Sequence, residues 1–260
     1  RKINLGLFMG KKKSIIPNIF TMGNMVMGFF SILVASQFDS TLGNYEALFI
    51  AGVLIFVGSI FDASDGAIAR ALNVESEIGM QLDSLADAVS YGIAPGFVAY
   101  KAFFYQMPEI YGYFNSGMII AAIFPICAVY RLARFNCTES IPGFIGLPSP
   151  PAGIVAGTVP AILQSPIPFT RTYVDINWQL YLPFFVIIAL LMVSNVDYNK
   201  LFSDIWKKGK IARIVAFIAV ILLLVFFNVW AIFCVTLLYV IWGLLRYIYK
   251  AVTRTQKESN

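Results

Sequence analysis

Between positions 62 and 87 the chain reads Asp62-Ala-Ser-Asp65-Gly66-Ala-Ile-Ala69-Arg70, then eight residues, then Gly79-Met-Gln-Leu-Asp83-Ser-Leu-Ala-Asp87. Four of the chain's eight aspartates thus fall within 26 positions. On helices, Asp62 and Asp65 lie at i, i+3 on one face that Ala69 extends, and Gly79, Asp83 and Asp87 repeat at i, i+4, i+8 on another. A short turn over 71–76 makes the two helices antiparallel neighbours, so the acidic faces converge. An all-carboxylate set without His or Cys selects hard, oxygen-preferring cations such as Mg²⁺, Mn²⁺ or Ca²⁺. Two such ions about 3.5–4 Å apart form the usual clamp for in-line displacement at phosphorus.

The neighbouring small residues fit the same chemistry. Gly66, Ala69 and Gly79 carry almost no side chain where the helices meet, which leaves room for a ligand against the backbone, and Arg70 offers a cationic fork for phosphate. The competing reading is structural: the glycines permit close helix packing, and the aspartates pair with Arg70, Arg131 and Arg134. Four carboxylates, two glycines and an arginine on matched faces favour the metal site over that reading. The chain has no histidine, which removes the commonest general base, the usual zinc ligand and any Ser-His-Asp or Cys-His nucleophile. Cys127, Cys137 and Cys234 are too widely spaced for C-x-x-C chemistry and read as inert thiols.

The elements that must position these groups are membrane helices. The 260 residues are 59% hydrophobic and only 13% charged, whereas a soluble domain averages about 25% charge. Runs long enough to cross about 30 Å of hydrocarbon fall at 17–37, 46–71, 77–105, 115–136, 150–166, 178–196, 211–228 and 230–250. The expected fold is therefore an all-α integral membrane bundle of about eight transmembrane helices, with Pro17 in the first turn of the first. Placing both termini in the cytoplasm puts every Lys and Arg except Lys101 and Arg171 on that side, as the positive-inside rule requires. Three segments follow: a basic juxtamembrane stretch over 1–16, catalytic helices over 17–166, and additional helices with a basic cytoplasmic tail over 167–260. Lys11–Lys13 anchor the topology and attract anionic headgroups. The net charge of +5 reflects this placement and implies no nucleic-acid partner. No cleavable leader is expected, because the first apolar run is followed by many more, and the start at Arg1 suggests that a few residues precede it.

The pattern from Asp62 to Asp87 resembles the signature of the CDP-alcohol phosphatidyltransferase family, D-x-x-D-G-x-x-A-R-x8-G-x-x-x-D-x-x-x-D, with every fixed position present. The resemblance covers roughly residues 14–165. Four further segments are similar to the type II phosphatidylserine synthase subgroup of that family. They are Pro17-Asn18-Ile-Phe-Thr21-Met-Gly23-Asn24, Ser90-Tyr91-Gly92-Ile-Ala94-Pro95, Arg131-Leu-Ala-Arg134-Phe135-Asn136 and Phe144-Ile-Gly146-Leu-Pro148-Ser-Pro150. The resemblance implies Asp62, Asp65, Asp83 and Asp87 as metal ligands, for two Mg²⁺ or Mn²⁺ ions at a site that also suits Ca²⁺, with Asp87 doubling as general base. It assigns Gly66, Ala69 and Arg70, with Gly79, to the CDP-binding part of the motif. Asn18 and Thr21 reach the nucleotide from the first helix, or serve only to start that helix.

The implied reaction joins L-serine to CDP-diacylglycerol and releases CMP, at the cytoplasmic face of the cell membrane, in a homodimer packed through membrane helices. Arg131 and Arg134 are candidates for gripping the serine carboxylate or the lipid phosphate, or else are topology determinants; Asn136, Ser90 and Tyr91 are candidate orienting groups. Other acceptors within the family are glycerol 3-phosphate, inositol phosphate, choline and ethanolamine, and the metal site alone does not distinguish them. The Arg pair beside Ser90-Tyr91 fits an amino-acid carboxylate better than a phosphorylated acceptor or a choline cage. Prenyl transfer would require two separated Asp-rich helices on different repeats. A divalent-cation transporter would need polar residues across the full membrane depth, and the outer halves over 48–57 and 93–104 are largely apolar.

Overall fold

In lipid every backbone N–H and C=O must be satisfied within the protein, and a helix does this segment by segment. The computed structural model describes residues 5–137, 146–162, 177–196, 198, 230–249 and 253, and the apolar runs within them are helical. In chain order these are α1 (Leu5–Ser36), α2 (Glu46–Leu72) and α3 (Glu77–Asp87), which continues through a π-helical turn (Ala88–Ile93), α4 (Ala94–Ala99) and a second π turn (Tyr100–Phe104). A small antiparallel hairpin, β1 (Glu109–Tyr111) with β2 (Phe114–Asn115), leads into α5 (Ser116–Cys137), α6 (Ser149–Ile162) and α7 (Trp178–Val193). Helix α8 spans Trp230–Tyr249.

Among the described residues four stretches are long and apolar enough to cross a membrane: Ile15–Ser36, Glu46–Leu72, Ser116–Cys137 and Trp230–Tyr249. Only about a quarter to a third of each is buried inside the protein (28%, 28%, 33% and 22%). Large apolar side chains stand exposed along them, among them Ile19, Phe29 and Leu33 on α1, Ile50 and Ile60 on α2, and Ile119 and Ile126 on α5. Such a surface belongs in lipid, and the chain is a polytopic helical membrane protein. The expected span over 211–228 and the far-side Arg171 lie outside the described residues.

One boundary differs from the sequence expectation. Helix α1 begins at Leu5, so Pro17 sits in its interior instead of its first turn. Ahead of it Leu5, Leu7, Met9 and Lys11–Lys13 are good helix formers, and the missing proline N–H removes a single hydrogen bond from a helix long enough to absorb it. The hairpin over 109–115 has no counterpart in the hydrophobic pattern.

The helices close around α6, whose residues from Ala152 to Ile162 are all buried. A helix apolar on every side belongs in the middle of a bundle. Gly153 makes this seat possible, since a Cβ there would lie 2.7 Å from the Tyr91 Cα. One cluster of buried side chains unites α1, α2 and the 88–99 stretch through Leu48, Ile55, Tyr91, Ala94 and Val98. A second joins α5, α6 and α7 through Phe104, Phe124, Tyr181 and Phe185. In it the Phe124 and Phe185 rings stack at 5.0 Å, and the Tyr181 hydroxyl donates to the Ala156 carbonyl at 2.8 Å.

The π turn after Asp87 accommodates Pro95. That residue has no N–H for the turn below it, and the wider turn, with Ala94 N–H donating to Val89 O, carries the chain past the ring. At the opposite end of this long helix Lys101 lies over the Tyr105 ring, 5.2 Å from its centroid. The nearby connection from α1 to α2 is held by Asp39, which accepts from the Thr41 hydroxyl at 2.7 Å and the Thr41 N–H at 2.8 Å. These bonds hold its carboxyl below the usual carboxylate range.

Candidate metal centre and adjoining cleft

The turn between α2 and α3 sets the site. Asn73 takes the left-handed conformation (φ 52°) that Asn tolerates, and the N–H groups of Asn73 and Val74 close on the carbonyls of Arg70 and Ala69. Ser76 then caps α3 by accepting from the Gly79 N–H at 3.1 Å. From this turn α2 and α3 bring the carboxylates of Asp62, Asp83 and Asp87 together.

Asp62, Asp83 and Asp87 each offer a carboxylate oxygen, and these oxygens all lie within 4.8 Å of one another. Carboxylates this close repel one another steeply unless a proton or cation lies between them. Asp83 Oδ1 is buried without a partner among the described residues. Three converging carboxylates, one with an orphaned oxygen, and an all-oxygen donor set fit a hard divalent cation. Asp65, one turn on from Asp62, accepts from the Thr21 hydroxyl at 2.6 Å and stands outside the trio.

Asp87 is 7% exposed and is bonded on both oxygens. Asn24 Nδ2 of α1 donates to Oδ1 at 3.2 Å, and Ser149 Oγ at the start of α6 lies 3.3 Å from Oδ2. Ser149 in turn accepts from Arg131 Nη1 at 2.8 Å. Asn24 reaches this position because Gly58 of α2 has no side chain; a Cβ there would lie 2.9 Å from Asn24 Oδ1. That oxygen too is buried and has no partner among the described residues.

Beside the trio, and sharing Asp83 with it, opens a cleft of about 640 Å³, within the range of small-ligand sites. Asn18, Thr21, Gly66, Ala69, Arg70 and Gly79 all line it, together with Pro17, Asp65, Met80 and Phe135. Six residues named from the sequence for nucleotide contacts therefore share one cavity. Arg70 lies against Gly66, where a Cβ would stand 3.3 Å from Nη1, so the glycine leaves the guanidinium room to turn toward a ligand.

The residues named for the acceptor are placed less uniformly. Ser90 is fully buried and donates to the Asn24 carbonyl at 2.8 Å, joining α1 to the π turn. Tyr91 is fully buried, and its hydroxyl has no partner among the described residues. Arg131 turns inward to Ser149. Arg134 donates to the Val193 carbonyl at 3.1 Å and the Ser194 carbonyl at 3.4 Å, at the C-terminal end of α7 where a cation is favoured. Asn136 donates to Ser84 Oγ at 2.9 Å and so ties α5 to α3. Asn24 and Ser149 were not singled out from the sequence, although both lie inside segments that carry the family resemblance. Their polar side chains in otherwise apolar surroundings were the available clue.

Comparison with known proteins agrees with this geometry. The family described as CDP-alcohol phosphatidyltransferase matches residues 14–174, more than half of the chain. The chain is similar to the CDP-diacylglycerol–serine O-phosphatidyltransferase of Helicobacter pylori, 30% identical over 242 residues that cover 92% of this chain and 93% of the relative. The protein of the same description from Methanocaldococcus jannaschii is 30% identical over 246 residues, covering 93% and 98%. That from Bacillus subtilis is 39% identical over 140 residues, covering 54% of this chain and 71% of the relative.

Proposed function

The chain belongs to the CDP-alcohol phosphatidyltransferase family, and on that premise we propose that it transfers the phosphatidyl group of CDP-diacylglycerol to the hydroxyl of L-serine, yielding phosphatidylserine and CMP. The observation that carries this reading is the Asp62, Asp83 and Asp87 trio opening onto a cleft lined by Gly66, Ala69 and Arg70. The names of the relatives support serine as the acceptor.

Asp62, Asp83 and Asp87 would hold Mg²⁺ or Mn²⁺, with Asp65 at the cleft wall available to a second ion. Bound divalent cations disperse charge on a pyrophosphate and on the departing phosphate. The small side chains of Gly66, Ala69 and Gly79 admit CDP against the backbone, and Arg70 supplies a guanidinium to its phosphates. Asp87 accepts the proton of the serine hydroxyl as that oxygen attacks the phosphorus bearing the diacylglycerol. The P–O bond to the cytidylate breaks, and CMP leaves with the electron pair. Tyr91, whose hydroxyl has no partner among the described residues, is available to orient the acceptor.

The Lys and Arg distribution supports eight crossings, cytoplasmic termini and a site at the cytoplasmic face, with the catalytic helices over 17–166 and additional helices beyond. A homodimer is the assembly that the family resemblance implies.

The test is CMP release by purified protein with CDP-diacylglycerol and Mg²⁺ or Mn²⁺, each acceptor offered separately beside an EDTA control. Metal-dependent release with serine alone is expected. Release with glycerol 3-phosphate, inositol phosphate, choline or ethanolamine in place of serine would overturn the acceptor, and release in EDTA would overturn the metal centre.

A further inference from the structure

Asp87 is reached by polar groups from other helices, and the order of donors among them fixes how its carboxylate lies. Arg131 on α5 is buried and donates from Nη1 to Ser149 Oγ at 2.8 Å. Ser149 is fully enclosed, and its Oγ lies 3.3 Å from Asp87 Oδ2. A serine hydroxyl has one hydrogen to give and two lone pairs to receive, whereas a guanidinium only donates. Arg131 therefore occupies a lone pair of Ser149, and the single hydrogen of Ser149 goes to Asp87. On the other side Asn24 Nδ2 donates to Oδ1 at 3.2 Å. A buried arginine is costly unless its charge is answered; here the carboxylate just beyond the serine answers it.

We infer that Ser149 and Arg131 are positioning residues that fix the plane of the Asp87 carboxylate, so that the lone pairs left over from Asn24 and Ser149 face Asp62 and Asp83. The inference rests on the metal-site reading of the trio. It gives Arg131 a task distinct from gripping the acceptor, and it gives the start of α6 a direct part in the centre. Substituting a group that orients a metal-binding carboxylate from behind typically costs about 10- to 100-fold in metal affinity.

The test uses the full chain purified in detergent, with Mn²⁺ alone as the probe. Binding is followed by electron paramagnetic resonance without lipid or serine, beside thermal unfolding and steady-state CMP release. Ser149→Ala is expected to weaken Mn²⁺ binding about 10- to 100-fold and to lower kcat while leaving the KM for CDP-diacylglycerol unchanged. Ser149→Thr restores the hydroxyl and should recover Mn²⁺ affinity. Ser149→Cys, of nearly the same volume but a weaker donor, should fall between, and it carries the comparison if the alanine variant does not fold. Arg131→Met should weaken Mn²⁺ binding by a smaller factor.

Wild-type Mn²⁺ affinity in Ser149→Ala or Ser149→Cys would overturn the inference. So would an Arg131→Met protein with a raised serine KM and unaltered Mn²⁺ binding. If the wild type binds Mn²⁺ but releases no CMP with serine, the acceptor reading fails and the Ser149 series still decides the positioning role. If the wild type binds no Mn²⁺, both fall together.

Discussion

Around Asp87 the neighbours are side chains drawn from separate helices, Asn24 from α1 and Ser149 from α6, each bonded in a buried setting. The cleft wall is different: it is made of α1, α2, α3, the turn joining the last two and Phe135 of α5, with glycine, alanine and an exposed arginine along it. Asp83 belongs to both regions. A cluster of fixed negative charge needs its oxygens held in place, because small displacements change Coulomb energies steeply at short range. A nucleotide is bound through shape and a few charged contacts, so its groove tolerates open walls. Substitutions in the first region should therefore act on metal affinity and turnover, and those in the second on the KM for the CDP-lipid.

The sharpest way to probe that division is to empty the trio. Chelation by EDTA, or Asp83→Asn, is expected to abolish CMP release, and Asp83→Asn should also abolish Mn²⁺ binding; retention of both in the variant would break the comparison at its shared residue. Asp87→Asn keeps the shape and removes the base, and is expected to lower kcat about 10²- to 10⁴-fold while CDP-lipid binding, followed by equilibrium titration, persists. Arg70→Ala removes hydrogen bonds to a charged phosphate worth about 1.5–3 kcal/mol, so the KM for CDP-diacylglycerol should rise about 10- to 100-fold with a smaller change in kcat. A drop in kcat at constant KM would instead join Arg70 to the trio. Gly66→Ala is the mildest, a few-fold rise in the same KM, since its new methyl meets only the mobile end of Arg70.

The two regions were also unequally legible. The four aspartates and the cleft residues Gly66, Ala69, Arg70 and Gly79 lie on two successive helices joined by a short turn, so their spacing alone placed them on facing surfaces. Asn24 and Ser149 come from helices far away in the chain, and what they touch depends on how closely the bundle packs at Gly58 and Gly153. The same holds for the two arginines on α5. Their sequence context marks the basic end of a span, but it does not reveal that Arg131 turns to Ser149 while Arg134 binds carbonyls at the end of α7. The early start of α1 was hidden by Pro17, a residue that favours first turns yet is tolerated inside a long helix.

The π turn at Ala88–Ile93 has a consequence for phase. An α-helix advances about 100° per residue, so a turn that holds one extra residue rotates everything after it relative to everything before. Asp83 and Asp87 are aimed by the upstream half, while Ala94, Val98 and Phe104 are aimed into the two apolar clusters by the downstream half. The offset lets one continuous rod present a charged face and an apolar face whose azimuths are set independently. Deleting Val89 would let an ordinary α-turn replace the π turn and leave both azimuths in place. Adding a further residue there, with no wider turn to absorb it, would swing the apolar half by roughly a quarter-turn off its seats, with the carboxylates upstream left where they are.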